Sequence, residues 1–377
     1  MTTNPRIDRK STGVVVVHAM RDREPEHEHA VHVELGKRLG VLQGLDFAGI
    51  YDPGQRYEGR VYFFPTDTLI GTEYARLLGI NNELDLFGGV APHPFIATKA
   101  ITHSLVGPGA YAPQGWSTDF TQRVHDSVLC GFTVFTLKDA KVAGERLLRL
   151  GLLRIKPVRG TGGRGQVLIS SGLELDRALA AFDTADLQRY GLVLEEHLEE
   201  VATYSVGKVR VADMTITYFG VQRLTPDNRG EMVYGGSDLI VARGGFEALL
   251  ALNLPEEGRR SIAQAQVYDN AASRCFRGFF ASRRNYDVAC GLDARRRQRS
   301  GVLEQSWRAG GASGAEVIAI EALQASKSLS AIRTSTFELF GKAAKPPANA
   351  LLLFSGEDDV VGHISKYVRV ESYGDAQ

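Results

Sequence analysis

Val14-Val15-Val16-Val17 is an unbroken run of β-branched residues whose length suits one buried strand. After a charged stretch, Val31, Leu35, Leu39 and Leu42 recur at helical spacing. A strand followed by a helix is how α/β folds begin, and residues 60–64 and 72–78 predict a further strand and a short helix. Residues 1–95 are therefore expected to form an N-terminal α/β lobe. Residues 93–116 are dense in Pro, Gly and aromatics, as in His93-Pro94-Phe95, Gly107-Pro108-Gly109 and Gln114-Gly115-Trp116, so 96–130 reads as an irregular connecting segment.

Thr136 and Asp139 match a capping box, and Ala140, Ala143, Leu147 and Leu150 then share one helix face until Gly151 closes it. Strand-like runs at 152–158 and 166–170 flank a glycine-rich stretch. Leu175, Ala178, Leu179 and Phe182 predict the next helix, and 192–195 another strand. Together 131–200 reads as one small subdomain. Beyond it the β segments lengthen, with Asp227-Asn228-Arg229-Gly230 as a hairpin turn. Ile262, Ala265, Tyr268 and Ala272 predict a helix packed on two late strands, 286–293 and 301–307, and Ser313 with Glu316 reads as a second capping box. Residues 201–340 form the expected C-terminal lobe. Lys345-Pro346-Pro347 then sets off a tail, 341–377, in which 350–354 could add one last strand.

Composition narrows the function classes. The chain has 377 residues, and 44 basic against 44 acidic side chains leave no net field to gather nucleic acid or an anionic membrane. Its three cysteines, Cys130, Cys275 and Cys290, are odd in number and widely spaced, which supports neither a disulfide framework nor a Cys-type zinc site. No segment approaches the roughly twenty apolar residues of a membrane span, and residues 1–13 are polar with no signal-peptide pattern behind them. A cytoplasmic location is expected, with small molecules as partners. A homodimer is compatible with the sequence.

The strongest chemical signal is Lys156-Pro157-Val158-Arg159-Gly160-Thr161-Gly162-Gly163-Arg164-Gly165. Glycines there let backbone N–H groups close on phosphate oxygens, and Lys156 adds a positive charge. A Walker A loop is excluded because no Gly-Lys-Ser/Thr ends the run. Gly160, Gly162 and Gly165 satisfy G-x-G-x-x-G, but the alternation that follows is that of a strand, whereas the dinucleotide fingerprint opens a helix. A β-hairpin flap is the better reading. Lys138 lies one helix upstream, and Leu194-Glu195-Glu196-His197-Leu198 follows downstream.

This ordered set resembles the ATP-grasp superfamily. The resemblance implies that Lys138 and Lys156 hold the α- and β-phosphates of ATP and that Gly160, Gly162, Gly163 and Gly165 cover the triphosphate. It further implies that Glu195 accepts from the adenine amino group while the backbone around Glu196, His197 and Leu198 completes the base contacts, with Glu199 or Glu200 near the ribose. Glu304-Gln305-Ser306-Trp307-Arg308 is similar to the superfamily's Glu-x-Asn-x-Arg, with Asp287 on the preceding strand. By that likeness Asp287 and Glu304 are ligands of Mg²⁺ or Mn²⁺, Ser306 stands at the second metal position in place of the amide, and Arg308 is catalytic with Lys156. Strand alternation alone puts Asp287 on one face with Ala289 and Gly291, and Glu304 on one face with Val302, Ser306 and Arg308.

The fold expected is therefore α/β (α+β), an ATP-grasp fold with an N-terminal pre-ATP-grasp lobe, and the whole chain resembles a bacterial family of ATP-grasp-like proteins. The reaction implied is ligation: a carboxylate is activated as an acyl phosphate and then attacked by an amine or thiol. A kinase acting on a small-molecule hydroxyl, or a catalytically decayed ATP-binding regulator, are the alternatives. Lys208, Arg210, Arg223 and Arg284 are candidate cations for the substrate, set against ordinary surface charge. His27, His29 and His32, beside Glu26, Glu28 and Glu34, read more readily as a solvated helix face than as a metal site.

Overall fold

The computed structural model describes residues 13–21, 23–160 and 165–373. The N-terminal lobe opens with β1 (Gly13–His18), α1 (Glu26–Gln43), β2 (Asp46–Ile50) and β3 (Arg60–Pro65), and β1 lies between β2 and β3 in a parallel sheet. Val15 and Val17 on one face of β1 meet Leu35, Leu39 and Leu42 of α1, so the two apolar patterns in the sequence bury each other. Gly36 permits the contact, because a Cβ there would stand 2.7 Å from the Phe47 ring. α1 begins at Glu26, ahead of the apolar stripe, with His27 and His32 buried in its first turns. The lobe ends with β4 (Leu69–Ile70), α2 (Thr72–Leu77) and β5 (Gly89–Ala91).

The connecting segment is ordered. Two 3₁₀ turns, Pro94–Ala97 and Lys99–Ile101, are followed by α3 (Thr118–Val124), and Phe95, Ile96, Ile101 and Phe120 enter the largest core cluster. Next come β6 (Gly131–Val134), α4 (Leu137–Leu148), β7 (Leu153–Pro157), β8 (Val167–Ile169), α5 (Gly172–Leu179), α6 (Thr184–Tyr190) and β9 (Leu192–Glu196). Their sheet runs β6-β9-β7-β8, antiparallel throughout. Thr136 caps α4 by accepting from the Asp139 amide at 3.1 Å, as its sequence predicted. β7 and β8 form the expected hairpin around the glycine-rich stretch, whose residues 161–164, with Gly162 and Gly163, lie outside the described residues.

The C-terminal lobe consists of β10 (Glu199–Val211), β11 (Met214–Pro226), β12 (Met232–Arg243), α7 (Phe246–Leu250), α8 (Glu256–Cys275), β13 (Phe280–Ala281), β14 (Arg283–Leu292), β15 (Gln298–Ser306), α9 (Ser313–Ala325), β16 (Ala331–Phe340), β17 (Leu351–Asp358) and β18 (Gly362–Ser372). Eight of these strands make one sheet in the order β15-β14-β10-β11-β12-β16-β18-β17. α8 packs through Ile262, Ala265 and Tyr268 on one face, together with Tyr286, Val288 and Val302, while α9 and α1 cover part of the other. Residues 341–377, expected as a tail, instead contribute β17 and β18, and β18 inserts between β16 and β17.

Two local expectations are corrected. The Ser313/Glu316 pair is not a capping box: Ser313 is the first residue of α9, its hydroxyl accepts from the Gly310 amide at 3.0 Å, and Glu316 is fully buried. On β15, Val302 does not share a face with Glu304. Asp287 pairs with Glu304 but Val288 pairs with Val302, so Leu303 is an extra residue, a bulge that turns Val302 into the core and Glu304 to the opposite face.

Candidate active site

Sheet alternation decides which side chains meet where the small subdomain approaches the eight-stranded sheet, here called the cleft. On β7 and β9, Lys156 and Glu195 lie on the same face, and the Lys156 ammonium donates to Glu195 Oε1. Glu195 Oε2 is 2.9 Å from His103 Nε2, so both carboxylate oxygens have partners in a site that leaves Glu195 only 1% exposed. His103 can come this close because residue 131 is glycine; a Cβ there would lie 2.8 Å from its Nε2. Burial alone would raise the Glu195 carboxyl, but Lys156 and His103 outweigh it and hold it down at about 2. Glu195 is thus a buried anion on the Lys156 amine, not a carboxylate turned outward.

A second amine stands on a turn that contacts β9. Lys99, on the 3₁₀ turn of the connecting segment, is 6% exposed, and its Nζ lies 3.3 Å from the Gly160 carbonyl and 2.7 Å from Glu304 Oε2. One side chain therefore joins the root of the glycine-rich hairpin to β15. The turn is fixed from below, since Gln305 Nε2 donates to the carbonyls of Ile96 at 2.9 Å and Thr98 at 2.7 Å. Glu304 is cross-strand from Asp287. Asp287 Oδ1 accepts from Gln222 Nε2 at 2.9 Å, Asn285 Nδ2 at 3.0 Å and Ser205 Oγ at 3.4 Å, while no donor among the described residues reaches Oδ2. Burial first, then the adjacent Glu304 charge, pushes the Asp287 carboxyl up to about 6. Two hard oxygen donors facing one space, with a proton held too easily, suit a divalent cation completed by phosphate oxygens. Among the described residues no group of three or more His, Cys, Asp or Glu side chains forms a metal cage, so a nucleotide or water would have to supply the other ligands.

Ser306 and Arg308 follow on the end of β15. The guanidinium of Arg283, 1% exposed, is paired with Glu316 of α9, and its Nη1 donates to Ser306 Oγ at 3.2 Å and to the carbonyls of Ser306 at 3.1 Å and Arg308 at 2.6 Å. Tyr218 donates to Glu316 at 2.6 Å and lies 2.8 Å from Asn285, so the network reaches the residue that orients Asp287. The Arg308 side chain stays partly exposed, with Nε 3.6 Å from Asp67 on the loop after β3. The N-terminal lobe thereby borders the site.

Other expected residues lie elsewhere. Lys138 is exposed in the first turn of α4, and none of the hydrogen bonds or ion pairs among the described residues joins it to the cleft; α4 buries Ala140, Ala143 and Leu147 against its sheet and turns Lys138 outward. Lys99, not Lys138, is the amine that reaches Glu304. Lys208, Arg210 and Arg284 project from the opposite face of the large sheet, because Lys208 pairs with Arg284 three residues along from the Ser205–Asp287 pair. There Arg284 bonds Asp269 of α8 at 2.7 Å and Arg210 bonds Glu83 at 2.6 Å. Arg223 pairs with Asp238 at 2.9 Å and lies over the Phe337 ring. At the hinge, Glu196 accepts from the Cys130 amide, His197 Nδ1 is 3.0 Å from Arg154 Nε, Leu198 is buried, and Glu199 and Glu200 both pair with Arg296. A pocket of about 190 Å³ lined by Glu196, His197 and Arg299 lies here, and Glu196 points to the side of β9 opposite Glu195. A wider, open groove of about 630 Å³ between α1 and α9 shares no residue with the cleft. His29 and His32 both face Glu24, whereas His27 faces Asp358, so the three histidines do not converge. The three cysteines are unpaired, and no helix among the described residues is long and apolar enough to cross a membrane.

The profile of the family described as "Protein of unknown function (DUF3182)" matches residues 15–368, and the chain belongs to that family. No curated protein sequence matches it. Among solved structures the chain is similar to phosphoribosylamine–glycine ligase from Thermotoga maritima, with a TM-score of 0.50, 14% identity, and coverage of 95% of this chain and 92% of that one. It is also similar to the biotin carboxylase–β-γ-ATP complex from Campylobacter jejuni (TM-score 0.49, 11% identity, 95% and 87% covered). A further match is D-alanine–D-alanine ligase from Bacillus anthracis complexed with ATP (TM-score 0.43, 11% identity, 82% and 95% covered). The likeness to the Thermotoga structure shows the fold: mixed α/β, ATP-grasp, with an α/β lobe ahead of it.

Proposed function

We propose that this member of the DUF3182 family is an ATP- and Mg²⁺-dependent ligase that activates a carboxylate as an acyl phosphate for attack by an amine or thiol. The observation that carries the reading is the position of Lys99, whose Nζ touches both the Gly160 carbonyl at the hairpin root and Glu304 Oε2 on β15. Segments far apart in the sequence thus bring an amine, the root of the hairpin and a pair of acids together, which supports a site for a triphosphate with its metal.

In this reading the triphosphate lies between the hairpin and β14–β15, with Lys99 and Lys156 on its phosphates and the base at the hinge, Glu195 to Leu198. Gly160 and Gly165, at the hairpin ends, leave backbone free of Cβ atoms for the phosphate oxygens, and the sequence adds Gly162 and Gly163 to the same role. Asp287 and Glu304 would hold magnesium, which supplies charge neutralisation at the β- and γ-phosphates. Arg308, free of a short ion pair and facing the N-terminal lobe, is aimed at the transferring phosphoryl group and the acid that receives it. A carboxylate oxygen forms a bond to the γ-phosphorus as the bridge to the β-phosphate breaks, and ADP leaves. The amine or thiol then bonds to the acyl carbon and phosphate departs. No protein nucleophile is needed, because alignment and charge stabilisation carry the chemistry. In this reading the acid and its acceptor lie toward the N-terminal lobe, which the Arg308–Asp67 contact brings to the end of β15.

Hydroxylamine serves as a general amine in the test, because it converts an acyl phosphate to a hydroxamate. Panels of small carboxylic acids with MgATP should yield ADP and hydroxamate together. An ester phosphate product in their place would assign a kinase. Failure to bind ATP with Mg²⁺ present would end the reading.

A further inference from the structure

The oxygens of the two acids differ in what they already do. Asp287 Oδ1 is saturated by donors from Ser205, Gln222 and Asn285, which leaves Oδ2. Glu304 Oε2 is taken by the Lys99 ammonium at 2.7 Å, which leaves Oε1. The hydroxyl of Ser306, the next oxygen along β15, accepts from Arg283 at 3.2 Å, so a cation placed on it would face a guanidinium at hydrogen-bonding range. Two metal ions roughly 4 Å apart are best held where one carboxylate gives an oxygen to each. Here one oxygen of each acid is already engaged, Asp287 Oδ1 by three donors and Glu304 Oε2 by Lys99.

From this arrangement, and resting on the ATP reading above, we infer that Asp287 Oδ2 and Glu304 Oε1 serve a single divalent cation, and that Lys99, on Glu304 Oε2, supplies the positive charge that a second ion would bring. An ammonium has three donors. Two of them go to Glu304 and Gly160, and the third is left for a phosphate oxygen, so Lys99 bridges acid, lid and nucleotide as a second metal would bridge acid and nucleotide. The buried position of Lys99 and the Gln305 bonds that hold its turn make the amine a fixed part of the site.

The test counts Mn²⁺ by electron paramagnetic resonance on the full chain saturated with adenylyl imidodiphosphate, with bound nucleotide counted separately. One Mn²⁺ per bound nucleotide with an uncoupled spectrum is expected. Lys99→Met should raise the count to two by releasing Glu304 Oε2, and Lys99→Arg, which keeps the charge, should leave it at one. Two dipole-coupled Mn²⁺ in the unmodified chain, or a count that stays at one in Lys99→Met, overturns the inference while the ATP reading stands. A chain that retains no nucleotide at all overturns both.

Discussion

Glu195→Gln is the substitution that probes the cleft most directly, because it removes one charge and keeps the shape. Glu195 is 1% exposed, with Lys156 on one oxygen and His103 on the other, and its carboxyl is held at about 2 against an ordinary 4.5. At 1.36 kcal/mol per unit, that displacement corresponds to stability on the order of 3 kcal/mol at neutral pH. Breaking a buried pair by removing one partner costs about 3–5 kcal/mol, which agrees in scale. The pH dependence follows from the sign. A carboxyl depressed in the folded state stabilises fully above its unfolded value of 4.5, and that contribution is lost as pH falls toward about 2. Urea unfolding followed by circular dichroism should therefore show the variant less stable by about 3 kcal/mol at pH 7, with the gap to the parent chain closing below pH 4.5. A gap that is the same at pH 7 and pH 3, or one below about 1 kcal/mol at pH 7, would refute the assignment of Glu195 as a buried anion on Lys156.

Three further outcomes are expected. Lys99→Met should weaken ATP binding by roughly 10- to 100-fold, the value of one charge-assisted hydrogen bond, while Lys138→Met leaves it unchanged; calorimetric titration of both compares the two lysines directly. Arg283→Met should cost about 3–5 kcal/mol in denaturant unfolding, since it strands the buried Glu316 carboxylate, and the double variant Arg283→Met/Glu316→Leu should recover part of the loss. Lys208→Ala, on the α8 face of the large sheet, should change turnover by less than about twofold in the hydroxamate assay, whereas Glu304→Ala should remove Mg²⁺-dependent ADP release.

The fold was legible wherever a period was long enough to count. Helical spacing located α1, α4, α5 and α8, and strand runs located β1, β3, β7, β9, β14 and β15 to within a few residues of their ends. What was not legible is pairing at long range. The strand content of residues 341–373 was half visible, but nothing in the local text could say that β18 threads between β16 and β17, because alternation names no partner and the helices packed on these strands, α9 and α1, lie elsewhere in the chain. The β15 bulge was hidden for a related reason: alternation assumes an uninterrupted ladder, and one extra residue at Leu303 reverses the face of everything before it.

The site divides along the same physical line. Lys156, Asp287 and Glu304 sit on strands, where alternation fixes direction: Asp287 and Glu304 are cross-strand, and Lys156 shares a face with Glu195. Lys138 was chosen by its order along the chain, which constrains neither distance nor face. The amine that does reach the acids, Lys99, is carried by a single 3₁₀ turn inside text full of Pro, Gly and aromatics, where no period exists to aim a side chain. Its only sequence signal is a lone basic residue flanked by Ala97, Thr98, Ala100 and Ile101, small or apolar neighbours that go into the core or its edge. A charged residue in such company must find a counter-charge when the segment is buried, and Glu304 is that counter-charge. Glu316 follows the same logic: it lies in a run of Ala, Val and Ile on α9, and Arg283 answers it. Isolated charges within apolar stretches therefore point to partners across the fold that motif order does not show, because the cost of an unpaired buried charge forces each to a counter-charge.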